Sequence, residues 1–216
     1  MEKLAKPKQE AYDKLGPKVA KALESRHFDA WYFATAEEAK QKVLSLIEKD
    51  KSIGWGGSYT LAETGILDAI KTSGNYKLID RDAAKDKAER KMIQKQALIA
   101  DYFIMSANAI SEDGVIVNLD GNGNRAAAMV FGPDNVIVVA GMNKICKTVE
   151  DAIRRTRTIA APINAQRFDI NTPCKQSGSC ANCKSSDSIC SSMVISRLSF
   201  PAGKIKVILI GQDLGF

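Results

Sequence analysis

Val136-Ile-Val-Val-Ala140 sets five apolar residues in succession and then stops at Gly141. A strand with one face in water alternates apolar and polar residues. A strand that is apolar at every position must be covered on both faces, as in a sheet sandwiched between helices. A second such run, Val207-Ile-Leu-Ile210, lies near the end of the chain. Elsewhere, helical periodicities alternate with short strand-like segments. That alternation predicts an α/β fold with a mainly parallel sheet flanked by helices.

Apolar spacing predicts a helix over residues 12–26, with Pro17 limiting regularity near its start, and a short strand over 27–33. Thr35 is a cap for a helix over 36–49. A strand beginning at Ser52 breaks into glycines, and a helix over 61–71 follows. Further expectations are a brief strand at 77–79, a charged amphipathic helix over 83–100 and a buried strand over 101–106. Residues 107–118 read as a hairpin about Ser111-Glu-Asp-Gly114, since Asp-Gly is a strong turn signal. A small helix over 126–131 and a helix over 148–159 come next, and 193–198 and 204–210 read as strands returning to the sheet. The chain, 1–216, reads as one domain with an N-terminal helical region over 1–35 and a Cys-rich loop over 171–192.

Composition excludes disorder and collagen-like repeats: 45% of residues are hydrophobic and 26% charged. The formal net charge of +6 raises the prior for an anionic partner, but the lysines are spread from Lys3 to Lys206. A solvated basic surface fits better than nucleic-acid binding. The first residues show no apolar segment of the secretory type, and no apolar run is long enough to span a bilayer, which predicts a cytoplasmic protein without a membrane span.

Three motifs can carry chemistry. In Gly54-Trp-Gly56-Gly57-Ser58-Tyr-Thr60, glycines between a strand and a helix let backbone N–H groups converge on an anion; a tight turn would use the same residues. Asn118-Leu-Asp120-Gly121-Asn-Gly123-Asn124-Arg125 combines glycines, a carboxylate, amides and a guanidinium in one loop. Arg125 can grip an anion bidentately, and Asp120 can orient a hydroxyl, act as a base or cap the next helix. If both loops leave parallel strands, they meet at one sheet edge and form a small-anion pocket.

The third motif is Cys174-x5-Cys180-x2-Cys183-x6-Cys190 on a Gly/Ser-rich loop. Four thiolates so placed can wrap one tetrahedral ion or a cluster, and in a reducing compartment metal is favoured over disulfides or free redox thiols. The spacing lies near a plant-type ferredoxin run but does not choose between iron–sulfur and zinc. Cys146 stands apart as a core thiol. His27, the one histidine, reads as helix-end or surface packing rather than a catalytic base. Glu63 is a helix residue or a pocket carboxylate, and Lys144 a pocket lysine or part of a surface turn.

Together these segments resemble the lactate-utilisation (LUD-domain) family. The resembling residues are Gly56-Gly57-Ser58-Tyr-Thr60-Leu61, Ala107-Asn108 through Gly114, Asn118 through Arg125, Gly141-Met-Asn143-Lys144, the four-Cys loop and Gln212-Asp-Leu-Gly-Phe216. The resemblance implies a fold similar to the sugar-isomerase and CoA-transferase-like group. It also implies a role in oxidising lactate to pyruvate as one subunit of an oxidoreductase, alongside iron–sulfur electron-transfer subunits. Long members carry ferredoxin-type cysteine runs, whereas this chain has its own four-Cys loop. The combined expectation is a redox component with catalytic Asp120 and Arg125 that binds a small anionic metabolite such as lactate. Gly56, Gly57, Ser58, Thr60, Glu63, Asn108, Gly121, Gly123, Asn124 and Lys144 would surround the ligand. Cys174, Cys180, Cys183 and Cys190 would hold a [4Fe–4S] cluster, with zinc the alternative. The rival readings are a non-redox isomerase or hydrolase with structural zinc, and a ligand-binding protein without turnover. A homo-oligomer is compatible with each.

Overall fold

The computed structural model describes residues 4–216; residues 1–3 of the expected N-terminal region lie outside the described residues. Two sheets form the frame. The larger has six strands, all parallel: β1 (Asp29–Phe33), β2 (Ser52–Trp55), β3 (Lys77–Ile79), β4 (Tyr102–Met105), β7 (Asn135–Gly141) and β10 (Ile205–Ile210). Their order across the sheet is β1-β10-β7-β4-β2-β3. The smaller sheet has the order β8-β5-β6-β9, from β5 (Ala109–Ser111), β6 (Ile116–Asp120), β8 (Ile145–Cys146) and β9 (Ser192–Ser196).

The central strands bear out the expectation drawn from their composition. Val136, Val138 and Ala140 of β7 pack into one hydrophobic cluster, with Val19 and Leu23 of helix α1 (Lys6–Glu24). Ile137 and Val139 pack into the other, with Ala39 and Val43 of α2 (Ala36–Ser45). Successive residues of one strand thus face opposite layers, and every one is buried.

Several element ends differ from the sequence reading, each for a local reason. α1 begins at Lys6, because Pro7 suits a first helical turn, and Pro17 lies inside the helix. β1 starts at Asp29, since His27 takes a left-handed conformation (φ 65°) that ends the helix; His27 is helix-end packing, as its sequence context suggests. Thr35 caps α2 in a reciprocal box with Glu38, but the helix stops at Ser45. The helix expected over 61–71 is two, α3 (Tyr59–Glu63) and α4 (Ile66–Thr72), broken at Gly65 with φ 65°. The one expected over 83–100 shrinks to α5 (Lys87–Gln96), started by the Asp86 cap and flanked by 3₁₀ turns. α6 (Asn124–Phe131) forms where a helix is expected but begins two residues earlier, directly after Gly123 with φ 74°. The helix expected to end at 159 runs on. It passes from α7 (Val149–Arg155) through a π segment (Thr156–Ala160) into α8 (Ala161–Ala165), where Pro162 fits the first turn.

The hairpin forms as β5 and β6, with Ile110 opposite Ile116. Residues 193–198 do not return to the main sheet. β9 pairs antiparallel with β6, Asp120 opposite Ser192, and so pins the end of the Cys-rich loop against the Asp120 loop. That loop contains one short helix, α9 (Pro173–Ser177). Among the described residues no helix is long and apolar enough to cross a membrane.

Candidate functional site

Four neighbouring parallel strands end side by side and each hands a functional group to one place. β7 delivers Lys144 through the turn Met142–Lys144, β4 delivers Ser106, β2 delivers Gly57, Ser58 and Thr60, and β3 delivers Arg81. The carboxyl edge of such a sheet is a ligand site, because its loops present backbone and short side chains on a rigid frame. The second sheet supplies further walls: Asn108 precedes β5, Asp120 ends β6 and Ser191 precedes β9. These residues line a cavity of about 680 Å³. The two glycine loops therefore meet as expected, but they leave strands of different sheets rather than one edge.

Lys144 is the most unusual group in this cavity. It is 2% exposed, and its Nζ donates to Thr60 Oγ1 at 2.8 Å and to Ser106 Oγ at 2.9 Å. No carboxylate lies within ion-pair distance of it among the described residues. Burial, then the charges of Arg155 and Arg125, push its pKa down to about 7. Arg155 is held nearby by two carbonyls, those of Asn143 (3.1 Å) and Asn108 (2.6 Å). Lys144 is thus a pocket residue and not part of a surface turn.

Asp120 and Arg125 are bound to each other. Arg125 Nε donates to Asp120 Oδ1 at 2.7 Å, and Nη2 stands 2.6 Å from the same oxygen. Asp120 Oδ2 accepts the Ala126 amide at 2.8 Å, the helix-capping role among its alternatives. Arg125 Nη2 also serves Leu119 O (2.8 Å) and Asn108 Oδ1 (3.1 Å), which leaves Nη1 the least engaged donor, with one 3.5 Å contact to Ser106 O. Gly56 lies beneath this guanidinium: a Cβ there would come within 2.7 Å of the Arg125 side chain. Gly56 shapes the site without lining the cavity.

Of the other expected ligand residues, Gly57, Ser58, Thr60, Asn108, Gly121 and Asn124 line the cavity. Ser58 also caps α3, its Oγ accepting from the Leu61 amide at 3.2 Å. Gly123 faces a neighbouring groove, and Glu63 turns to the Gly215 amide at 2.6 Å. Ser106, Arg81 and Arg167 line the cavity without having been singled out from sequence. Ser106 and Arg81 follow strands at the same edge, a signal that strand-end position alone could have given. Arg167 arrives through the end of α8 and carries no sequence signal.

The four loop cysteines line a second cavity of about 340 Å³, together with Leu119, Arg157 and Met193. Burial, then the charges of Cys174, Cys180 and Cys183, raise the pKa of Cys190, so the four thiols feel one another. They do not converge on one point: among the described residues no group of three or more His, Cys, Asp or Glu side chains is close enough to hold a metal ion as it stands. All four are free thiols, as is half-buried Cys146. The thiol cavity and the first cavity share Leu119, Ser188 and Ser191 as lining residues.

The fold has a parallel among solved structures. A DUF162 family protein of solved structure from Deinococcus radiodurans shares the fold with a TM-score of 0.52 at 12% identity, over 92% of this chain and 98% of that one. A weaker likeness (TM-score 0.35, 12% identity) covers 88% of this chain and 55% of the 5-methylthioribose 1-phosphate isomerase from Pyrococcus horikoshii OT3. Elongation factor Ts of Bartonella quintana (strain Toulouse) is 30% identical over 118 residues, 52% of this chain; the match spans only 36% of that curated protein's length. The family model described as LUD domain matches residues 16–210, nearly the whole length, and so the chain belongs to the LUD-domain family of lactate-utilisation-type proteins.

Proposed function

We propose that this protein is a redox component that binds a small anionic hydroxy acid such as lactate beside an iron–sulfur cluster. The observation that carries the reading is the wall common to the two cavities, formed by Leu119, Ser188 and Ser191. Ser191 Oγ donates to the Asp120 carbonyl at 3.0 Å and to the Gly121 carbonyl. A single peptide bond therefore separates Cys190 from a direct contact with the ligand loop.

The donor set supports a cluster. The residues around the thiol cavity offer four thiols and the Met193 thioether, and neither carboxylate nor imidazole. Such a thiolate-rich set suits zinc or iron–sulfur chemistry. Zinc would need its sulfurs ~3.8 Å apart around one point, given tetrahedral Zn–S bonds of about 2.3 Å. Four thiols spread around a 340 Å³ cavity favour a multi-atom group instead. Arg157, beside them, would offset the negative charge of four thiolates. When bound, a [4Fe–4S] cluster supplies one-electron transfer.

The chain's own residues do the rest. Lys144 offers an ammonium to the acid's carboxylate, with the Thr60 and Ser106 hydroxyls holding it in place. With its pKa near neutrality, the same group can hold or release a proton at working pH. Arg125, fixed by Asp120, keeps the ligand loop in shape. Oxidation of a hydroxy acid releases two electrons and two protons, so the reading requires an electron-accepting partner subunit.

The test is a paramagnetic resonance spectrum of the reduced, anaerobically prepared protein with and without lactate. A lactate-induced change in line shape, lost in Lys144→Met while iron content is kept, is expected. An iron-loaded protein whose spectrum and calorimetry are indifferent to lactate would contradict the reading.

A further inference from the structure

Arg81 and Arg167 stand at the corner of the pocket lined by Gly57. The Arg81 side chain is 14% exposed. Its Nε is buried without a hydrogen-bond partner and approaches Asp82 Oδ1 only to 3.5 Å. Asp82 is already shared: it accepts from Trp55 Nε1 and Arg90 Nη2, each at 3.0 Å, and stands 3.9 Å from Lys71. A guanidinium carries five donors, and burying them without acceptors is unfavourable. Gly57 leaves room for this one beside the loop: a Cβ there would stand 3.2 Å from Arg81 Nη2, a tight contact.

Arg167 completes the corner. Its guanidinium lies 4.7 Å from the Tyr59 ring centroid and donates to Asn164 Oδ1 at 3.1 Å. The pKa of Arg81 is lowered by burial and then by Arg90 and Arg167, against the pull of Asp82. The charge of Arg125 is felt at both Arg167 and Lys144. Arg81, Arg167, Arg125 and Lys144 thus line one cavity together; among the described residues Arg125 is paired closely with Asp120, and Arg81 reaches only the shared Asp82, at 3.5 Å. The cavity's other carboxylate, Asp187, accepts the Asn171 amide. Like charges gathered in a partly desolvated site repel one another until a counter-charge enters. At about 680 Å³ the cavity also lies in the range of drug-sized ligands, larger than a three-carbon acid requires.

We infer that the corner formed by Gly57, Arg81 and Arg167 binds a phosphate group, and that the pocket takes a phosphorylated hydroxy acid, with the phosphate at this corner and the carboxylate at Lys144. Two guanidinium forks match the three terminal oxygens of a phosphate monoester better than they match one carboxylate. The inference rests on the hydroxy-acid reading for the carboxylate end and is independent of the thiols.

The test is calorimetry on the full chain with 3-phosphoglycerate, glycerate and glycerol 3-phosphate. 3-Phosphoglycerate is expected to bind about 30-fold more tightly than glycerate, the difference made by charge-assisted bonds to one phosphate. Arg81→Gln and, separately, the more peripheral Arg167→Gln should each remove most of that difference and leave glycerate affinity within about twofold. Equal affinity of the wild type for 3-phosphoglycerate and glycerate, or failure of all three probes to bind, overturns the inference. So does a parallel loss for both acids in Arg167→Gln, the variant that keeps the inference testable if Arg81→Gln does not fold. Arg81-dependent binding of glycerol 3-phosphate without any binding of glycerate sinks the hydroxy-acid reading while upholding the phosphate corner.

Discussion

Lys144 Nζ lies 2.8 Å from Thr60 Oγ1, at the carboxyl edge of the parallel sheet, and among the described residues no carboxylate comes within ion-pair distance of this buried ammonium, the charge of Glu63 only partly opposing the effect of burial and of Arg155 and Arg125. Its folded-state pKa of about 7 sits well below the usual 10.5. Between those values the unfolded chain holds a proton that the folded chain has released, so stability rises with pH across that window. The rise is up to about 1.4 kcal/mol per pH unit, and below pH 7 the contribution is flat. Lys144→Met removes the effect, and Thr60 and Ser106, 3.3 Å apart, keep each other as partners. Thermal melts of the two proteins should show the variant's advantage widest at pH 6–7 and narrowing toward pH 9. A pH-independent gap would mean that Lys144 is not a buried cation.

The same group sets the pH dependence of ligand binding. An anion pairs with the protonated form, so binding takes up a proton wherever Lys144 is neutral. Affinity for an anionic ligand should fall as pH rises through about 7, approaching tenfold per unit above it. Calorimetry in buffers of different ionisation enthalpy checks this through proton uptake at pH 8, which Lys144→Met should abolish.

Gly56→Ala tests the frame of the site rather than its charges. The added Cβ would come within 2.7 Å of the Arg125 side chain and force it off Asp120. Overpacking of this kind costs about 1–3 kcal/mol. A lower urea midpoint together with weakened anion binding is the expected result. Unchanged binding would show that the Arg125–Asp120 pair does not shape the pocket.

Ser191→Ala should separate the two cavities. The variant loses the bonds to the Asp120 and Gly121 carbonyls, worth about 1 kcal/mol each. Lactate should still bind, while its effect on the spectrum of the thiol-bound group is reduced. An effect equal to the wild type's would place the coupling elsewhere.

The residues that report themselves in sequence are those whose role is local. The apolar run of β7 alternates between two core layers, and the Asp-Gly turn of the hairpin forms where its chemistry puts it. Helix interruptions were less legible: Gly65 and the π segment before Pro162 break patterns that periodicity alone joins. Beyond its hairpin the second sheet was not legible, because pairing of β9 with β6 joins residues 72 to 80 positions apart, through a loop without periodicity. In the site, the glycine loops and Lys144 were readable from strand-end position. Asp120 and Arg125 were readable as residues but not as partners of each other. Arg81 and Arg167 meet only through the tertiary fold.

The most direct test of the account is the iron and acid-labile sulfide content of the chain purified without oxygen. The account predicts a brown protein with about four iron and four sulfide per chain, as a [4Fe–4S] group on four cysteines requires, and loss of both in Cys183→Ser. A colourless protein that holds one zinc and no iron would contradict it.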